Sequence, residues 1–467
     1  MIFSSVTFLF YFLPCFLALY YLLPWKNAVL LVGSLVFYAW GEPRFVPLLM
    51  LSALLNYGFG YAISRAQAPR TRQLYMWLGI GINLAALLYY KYAGFFAQSW
   101  NSVAANWGGN VAIPEIVLPL GISFVTFQGI SYLIDIYRRD IPAQSSLLRF
   151  AMYKAMFPQL IAGPIVRYSQ IADEISQRVI SNERIWRGVQ QFVLGLAQKV
   201  LIANSVALAA DRIFAIEPDQ LSTLTAWIGM ACYSVQILYD FAGYSNMAIG
   251  LAHMLGFTYP PNFNRPYAAQ SITQFWRRWH ISLSSWFRDY LYIPLGGNRA
   301  APWRTYFNLA LVFVLCGLWH GAAWTFVLWG VWHGALLVIE RVGLGKLLER
   351  LPGVVVHAYT LLAVMFGWVL FRADTVGQAA GYMRTLLGMS NGSQQWQMLA
   401  GPSTMWALAI GLLLAVLPDG FLQKTLHRPA FAPVKAASRR ILMPTAFAMC
   451  LLSLAADTYN PFIYFRF

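Results

Sequence analysis

Apolar runs long enough to cross a bilayer recur along the whole chain, and the loops between them are too short to fold on their own. A hydrocarbon core of ~30 Å takes about 20 apolar residues of helix. Candidate spans lie near 5–24, 28–40, 45–63, 74–95, 116–137, 190–212, 225–252, 305–321, 322–340, 356–371, 404–418 and 441–457. In lipid every backbone N–H and C=O must be paired inside the protein, so runs of this kind become helices. Only 11% of the 467 residues are charged, against about a quarter in soluble domains. The expected fold is an all-α polytopic membrane protein, with residues 1–467 forming a single membrane-embedded domain. Several runs are short, and "MFPQLIAGPIVRY" (156–168) is broken by Pro158 and Gly163-Pro164. Such a piece reads as re-entrant, lining a cavity rather than facing lipid.

Charge sets the orientation. The chain carries 33 Lys and Arg against 17 Asp and Glu, a net +16. In a soluble protein this excess would suggest nucleic acid. Here it sits in short loops at 65–72, 138–149, 167–187, 277–304, 341–350 and 424–440, whereas 97–115, 214–224 and 388–403 are nearly free of it. Basic loops stay in the cytoplasm and bind anionic lipid. Alternating the loops along the spans puts both termini outside, with the basic loops in the cytoplasm and no role for nucleic acid. The first run, Val6 to Pro24, follows an uncharged start and has no small-residue cleavage site, so it reads as a retained span. Cys15, Cys232, Cys316 and Cys450 are far apart and are expected to be buried thiols.

Two stretches carry candidate chemistry. In "SITQFWRRWHISLSSWFRDYLYIPLGGNR" (271–299), an unbroken helix would put Arg277, His280, Ser284 and Arg288 on one stripe and Trp276, Leu283, Trp286 and Tyr290 largely on other faces. That describes an amphipathic helix lying at the membrane surface. Its arginines have a plain anchoring role available to them, but anchoring does not need His280, whose unperturbed pKa of roughly 6.5 suits proton handling or donor binding. The second stretch, "GLWHGAAWTFVLWGVWHG" (317–334), holds Trp319, His320 and His333. On one straight helix the two histidines would be about 220° and about 20 Å apart. They can share a site only if the chain breaks between them, and the small residues of "GAAW" offer a break as well as close helix packing. Ionisable residues at membrane depth tend to mark functional paths, and a neutral imidazole keeps an acceptor nitrogen for general-base work. The plain alternative for each is a histidine satisfied by a carbonyl and stacked on its Trp. Asp240, in "QILYDFAGYSNMAIGLAHMLGF" (236–257), either orients a histidine or holds a kink at Gly243-Tyr244-Ser245; His253 reads as structural.

The sequence contains no phosphate-loop, H-E-x-x-H, G-x-S-x-G or dinucleotide motif. No metal or bound cofactor is expected, and histidine-assisted transfer of a pre-activated group remains.

"FWRRWHISLSSWFRDYLYIPLGGNR" (275–299), "GLWHGAAW" (317–324), "LYDFAGYSNMAIG" (238–250) and "FPQLIAGPIVRY" (157–168) resemble the membrane-bound O-acyltransferase family. The start "MIFSSVTFLFYFLP" and the end "NPFIYFRF" extend the likeness over nearly the whole chain, and "YIPLGGNR" resembles its exopolysaccharide-acetylating branch. The resemblance implies a ring of helices around a central funnel, with re-entrant and interfacial helices and a histidine at the narrow point. It puts the essential histidine at His320 and the second motif histidine at His280, with His333 as support. It also implies an acetyl donor carried as a cytoplasmic thioester, either acetyl-CoA or an acyl carrier protein, and a separate periplasmic partner that passes the group to the polymer. Two other classes stay open on sequence: a transporter or export subunit with His280 and His320 along its path, and an acyltransferase for another acceptor, such as teichoic acid D-alanylation, a lipid or a protein.

Overall fold

A computed structural model describes residues 1–299, 301–417, 432–456 and 459–463. About 76% of the chain is helical, and no strand occurs among the described residues beyond one isolated bridge, Leu221 to Gln394. Each expected span overlaps a helix, although 116–121 is not helical and 418 and 457 lie outside the described residues. Among the described residues four helices are long and apolar enough to cross a membrane: Pro43–Arg65, Asn182–Phe214, Trp324–Leu348 and Gly353–Arg372. The basic residues Lys424 and Arg428, and Tyr464 to Phe467 of the C-terminal motif, lie outside the described residues.

The chain divides into two compact units, Met1–Val189 with Ala248–Pro260, and Gln190–Met247 with Pro261–Phe467. In the first, the aromatic start of the chain has a packing role. Phe3, Phe8, Phe12, Phe16 and Phe37 all lie with ring centroids 5.2–6.2 Å from Phe157. Phe157 opens the four-residue helix Phe157–Leu160, and residues 156–166 are buried throughout, so the broken segment is as short and enclosed as its prolines predict. Two helices of this unit are joined by a reciprocal amide pair, Asn56 and Asn83, at 3.1 and 2.9 Å. Such hydrogen bonds replace the hydrophobic drive that helices in lipid lack.

Two expectations need correction here. Cys15 is exposed, while Cys232, Cys316 and Cys450 are buried. The helix Thr223–Met254 runs 32 residues without a kink at Gly243–Ser245; one glycine costs a helix only about 1 kcal/mol, too little to break one held by packing.

In the second unit the hairpin of Pro302–His320 and Trp324–Ile339 is the central packing element. A Cβ on Gly317 would fall 2.2 Å from the Phe326 carbonyl oxygen, and one on Gly330 would fall 2.3 Å from that of Phe313. The two backbones therefore touch, and glycine is required at both contacts.

Candidate active site

The second unit gathers the candidate residues, although not as one helical stripe. The helix Ile272–Arg278 stops, Trp279 is extended, and His280 takes a left-handed conformation (φ 44°, ψ 54°) before a new helix, Ile281–Phe287. A residue with a Cβ pays roughly 1–3 kcal/mol for such a conformation and keeps it only where its surroundings enforce it. The stripe is thereby undone. His280 is fully buried, Arg277 and Arg288 are exposed, and Ser284 is half-buried with its hydroxyl 3.4 Å from the Trp279 carbonyl. Arg288 pairs with its neighbour Asp289 at 2.6 Å. Trp276, Leu283, Trp286 and Tyr290 are buried as well, so the segment is part of the packed unit and not a surface anchor.

Asn262, which sequence reasoning missed, enforces the break. Its Oδ1 accepts from the Ser282 backbone N–H (3.2 Å) and from the Ser282 hydroxyl (2.8 Å), while its Nδ2 donates to Ser245 Oγ (3.0 Å). The backbone donor fixes which end of the amide is oxygen. His280 Nδ1 lies 3.1 Å from that same oxygen, so Nδ1 carries the proton and donates. The lone pair is then on Nε2, which is buried and has no protein partner among the described residues. With Nδ1 as the donor, the Nε2 of a neutral His280 is left as an acceptor.

That nitrogen belongs to a ring 6.4 Å from the ring of His320. His320 is the last residue of its helix, and the chain breaks at Gly321–Ala323. Its imidazole is ringed by Trp319 and Trp329, each at 5.0 Å, and by Phe371 at 5.2 Å. It faces a cavity of about 10 Å³ lined also by Ile237, Phe241, Trp279, Trp368 and Ile463. This is room for about one water molecule. Trp319 also contacts the His280 ring, at 6.0 Å.

With the break between the two Gly-x-Trp-His-Gly copies, both histidines contact the Trp329 ring. His333 is 5.0 Å from that ring, is fully buried, and accepts a 3.4 Å hydrogen bond from Trp276. It packs behind Trp329 and does not line the cavity. Asp240 touches neither histidine. Its carboxylate pairs at 2.7 Å with Lys199, and both side chains are buried. It also accepts from the Ile463 backbone N–H at 2.8 Å.

The same unit holds two larger cavities. One, of about 630 Å³, is lined by Gln270, Thr273, Arg277, Glu340, Arg341 and Gly353. The other, of about 330 Å³, is lined by Gln236, Thr325, Phe371, Arg372, Asp374 and Ile463. Phe371 and Ile463 are shared with the His320 cavity. The helix Gly353–Arg372 touches the first with its first residue and the second with its last. At 1.5 Å per residue these lie about 29 Å apart, close to the thickness of a bilayer core.

Residues 138–345 match the family model for membrane-bound O-acyltransferases. Over the full length of both chains the protein is 42% identical to a probable alginate O-acetylase of Pseudomonas putida and 39% identical to one of Pseudomonas aeruginosa. A peptidoglycan O-acetyltransferase of Helicobacter pylori is 35% identical, over 84% of this chain and 80% of that one.

Proposed function

The chain belongs to the membrane-bound O-acyltransferase family, and we propose that it moves an acetyl group from a cytoplasmic thioester across the inner membrane toward an exopolysaccharide. The observation that carries this reading is a buried pair of imidazoles between two cavities a membrane thickness apart. The 630 Å³ cavity lies at the Gly353 end, next to the basic loop 341–350, so it faces the cytoplasm by the charge rule. The 330 Å³ cavity, at the Arg372 end of the same helix, then faces outward.

His320 acts as the general base. It takes the proton of an incoming hydroxyl; the hydroxyl oxygen bonds to the thioester carbonyl carbon; the C–S bond breaks; and the imidazolium returns its proton to the departing thiolate. The products are an O-acetyl ester and a thiol, and the thioester supplies the driving force without a nucleotide. His280, whose Nε2 can only accept, takes a hydrogen bond from the donor and holds it. Trp319 and His333 support the two imidazoles. From the level of Gly353 to that of Trp368 is about 22 Å of helix, so the acetyl group must arrive on a slender arm. Acetyl-CoA and acyl carrier protein both provide one, and the exposed Arg277 and Arg341 suit their negative charge. The acceptor hydroxyl is carried by a separate periplasmic protein that completes transfer to the polymer.

Sealed vesicles test the direction. Inverted membranes given acetyl-labelled coenzyme A are expected to label the acceptor, and right-side-out vesicles are not; equal labelling from both faces would contradict the reading. Removing the lock on His280 is a further check. Asn262→Ala strips a buried imidazole of its partner, at a cost of about 1–3 kcal/mol, so transfer is expected to fall roughly 5- to 150-fold at matched protein level.

A further inference from the structure

The wall of the His320 cavity is built almost entirely from helical or interhelical residues, and Ile463 is the exception. It comes from the segment Tyr459–Ile463, some 90 residues beyond the nearest other wall residue, Phe371. Polar contacts hold this segment in the unit. Asp240 accepts from the Ile463 N–H at 2.8 Å; Lys199, paired with Asp240 at 2.7 Å, donates to the Pro461 carbonyl; and Asn204 donates to Asn460 at 3.1 Å. A further contact joins the Tyr459 hydroxyl to Asp211, which also pairs with Arg372 at 2.7 Å. Ile463 is buried and lines both the His320 cavity and the outward 330 Å³ cavity, so it forms part of the partition between them.

We propose that the Tyr459–Ile463 segment is a strap that completes the transfer site: Ile463 limits the acyl group to two carbons, and Lys199 and Asp240 are positioning residues that hold it there. This rests on the reading that His320 serves the attacking hydroxyl. An attack geometry needs the acyl carbonyl about 3–3.5 Å from the incoming oxygen, so the acyl tail must lie within the same aromatic cage as the His320 ring. That cage has about 10 Å³ to spare. The rings of Trp279, Trp329, Trp368 and Phe371 are packed against one another, whereas Ile463 can be shortened without unpacking a helix. In a hydrophobic pocket one methylene is worth roughly 10- to 200-fold in discrimination.

The test is competition between acetyl and propionyl thioesters in membranes carrying Ile463→Ala, Ile463→Phe or Lys199→Arg, with His320→Ala in parallel and all proteins matched by immunoblot. Ile463→Ala is expected to raise the propionyl-to-acetyl ratio about tenfold or more. Ile463→Phe is expected to lose acetyl transfer, and Lys199→Arg, which keeps the cation, to retain it with the wild-type ratio. A merely structural strap would lower both acyl groups together and leave the ratio unmoved. An unchanged ratio in Ile463→Ala together with full activity in Ile463→Phe overturns the proposal. If His320→Ala itself transfers at the wild-type rate, the underlying reading fails instead.

Discussion

Membranes carrying His320→Gln are expected to transfer acetyl roughly 10²- to 10⁴-fold more slowly than wild type. Glutamine fills most of the imidazole's volume and keeps a hydrogen-bonding end, so the packing of Trp319, Trp329 and Phe371 around the position is largely preserved. What it cannot do is accept a proton and give it back. The same substitution at His333 removes a hydrogen bond to Trp276 behind the cavity wall, without touching the space in which the reaction takes place. Its expected effect is accordingly below tenfold, and comparing initial rates at saturating thioester separates the two. Equal loss at both positions would show that the site depends on the packing around Trp329 and not on the base.

Asp240→Ala is expected to destabilise the protein by about 3–5 kcal/mol, the usual result of stranding one member of a buried ion pair. Lys199 would be left charged in an apolar setting with only carbonyl oxygen to face. Replacing both residues at once, as Lys199→Met with Asp240→Leu, removes the stranded charge and is expected to recover most of the stability. Thermal unfolding of detergent-solubilised protein reads both effects. The strap argument adds a second expectation for the double variant: it is stable, yet it transfers acetyl poorly, because the Ile463 N–H no longer has the Asp240 carboxylate to hold it.

The helices were readable in the sequence because lipid forces apolar runs to pair their backbone internally, and each expected run overlaps a helix, four of them long and apolar enough to span. The burial of His280 and His320 among aromatic rings was readable, because tryptophans flank both in the sequence. The break at Trp279–His280 was not. No glycine or proline marks it, the 3.6-residue period of apolar side chains continues through it, and a histidine at positive φ is uncommon. The reason lies 18 residues upstream in Asn262, whose oxygen gathers the Ser282 N–H, the Ser282 hydroxyl and the His280 ring. Nothing in the sequence spacing ties Asn262 to His280. Asp240, read as orienting a histidine or holding a kink, instead pairs with Lys199 and accepts from the Ile463 N–H. Lys199, a lone cation within the apolar helical run Asn182–Phe214, was the available signal. Ile463 could not have been found, since an isoleucine in an apolar tail carries no mark of which cavity it will close.

The central claim is that His320 performs acetyl transfer and not passage of a substrate through the membrane. Polymer-bound acetate and total exported polymer, measured in the same cells carrying wild type or His320→Ala at equal membrane protein level, test it most directly. Loss of acetate with export intact is the predicted result. Unchanged acetate, or loss of the polymer itself, would contradict it.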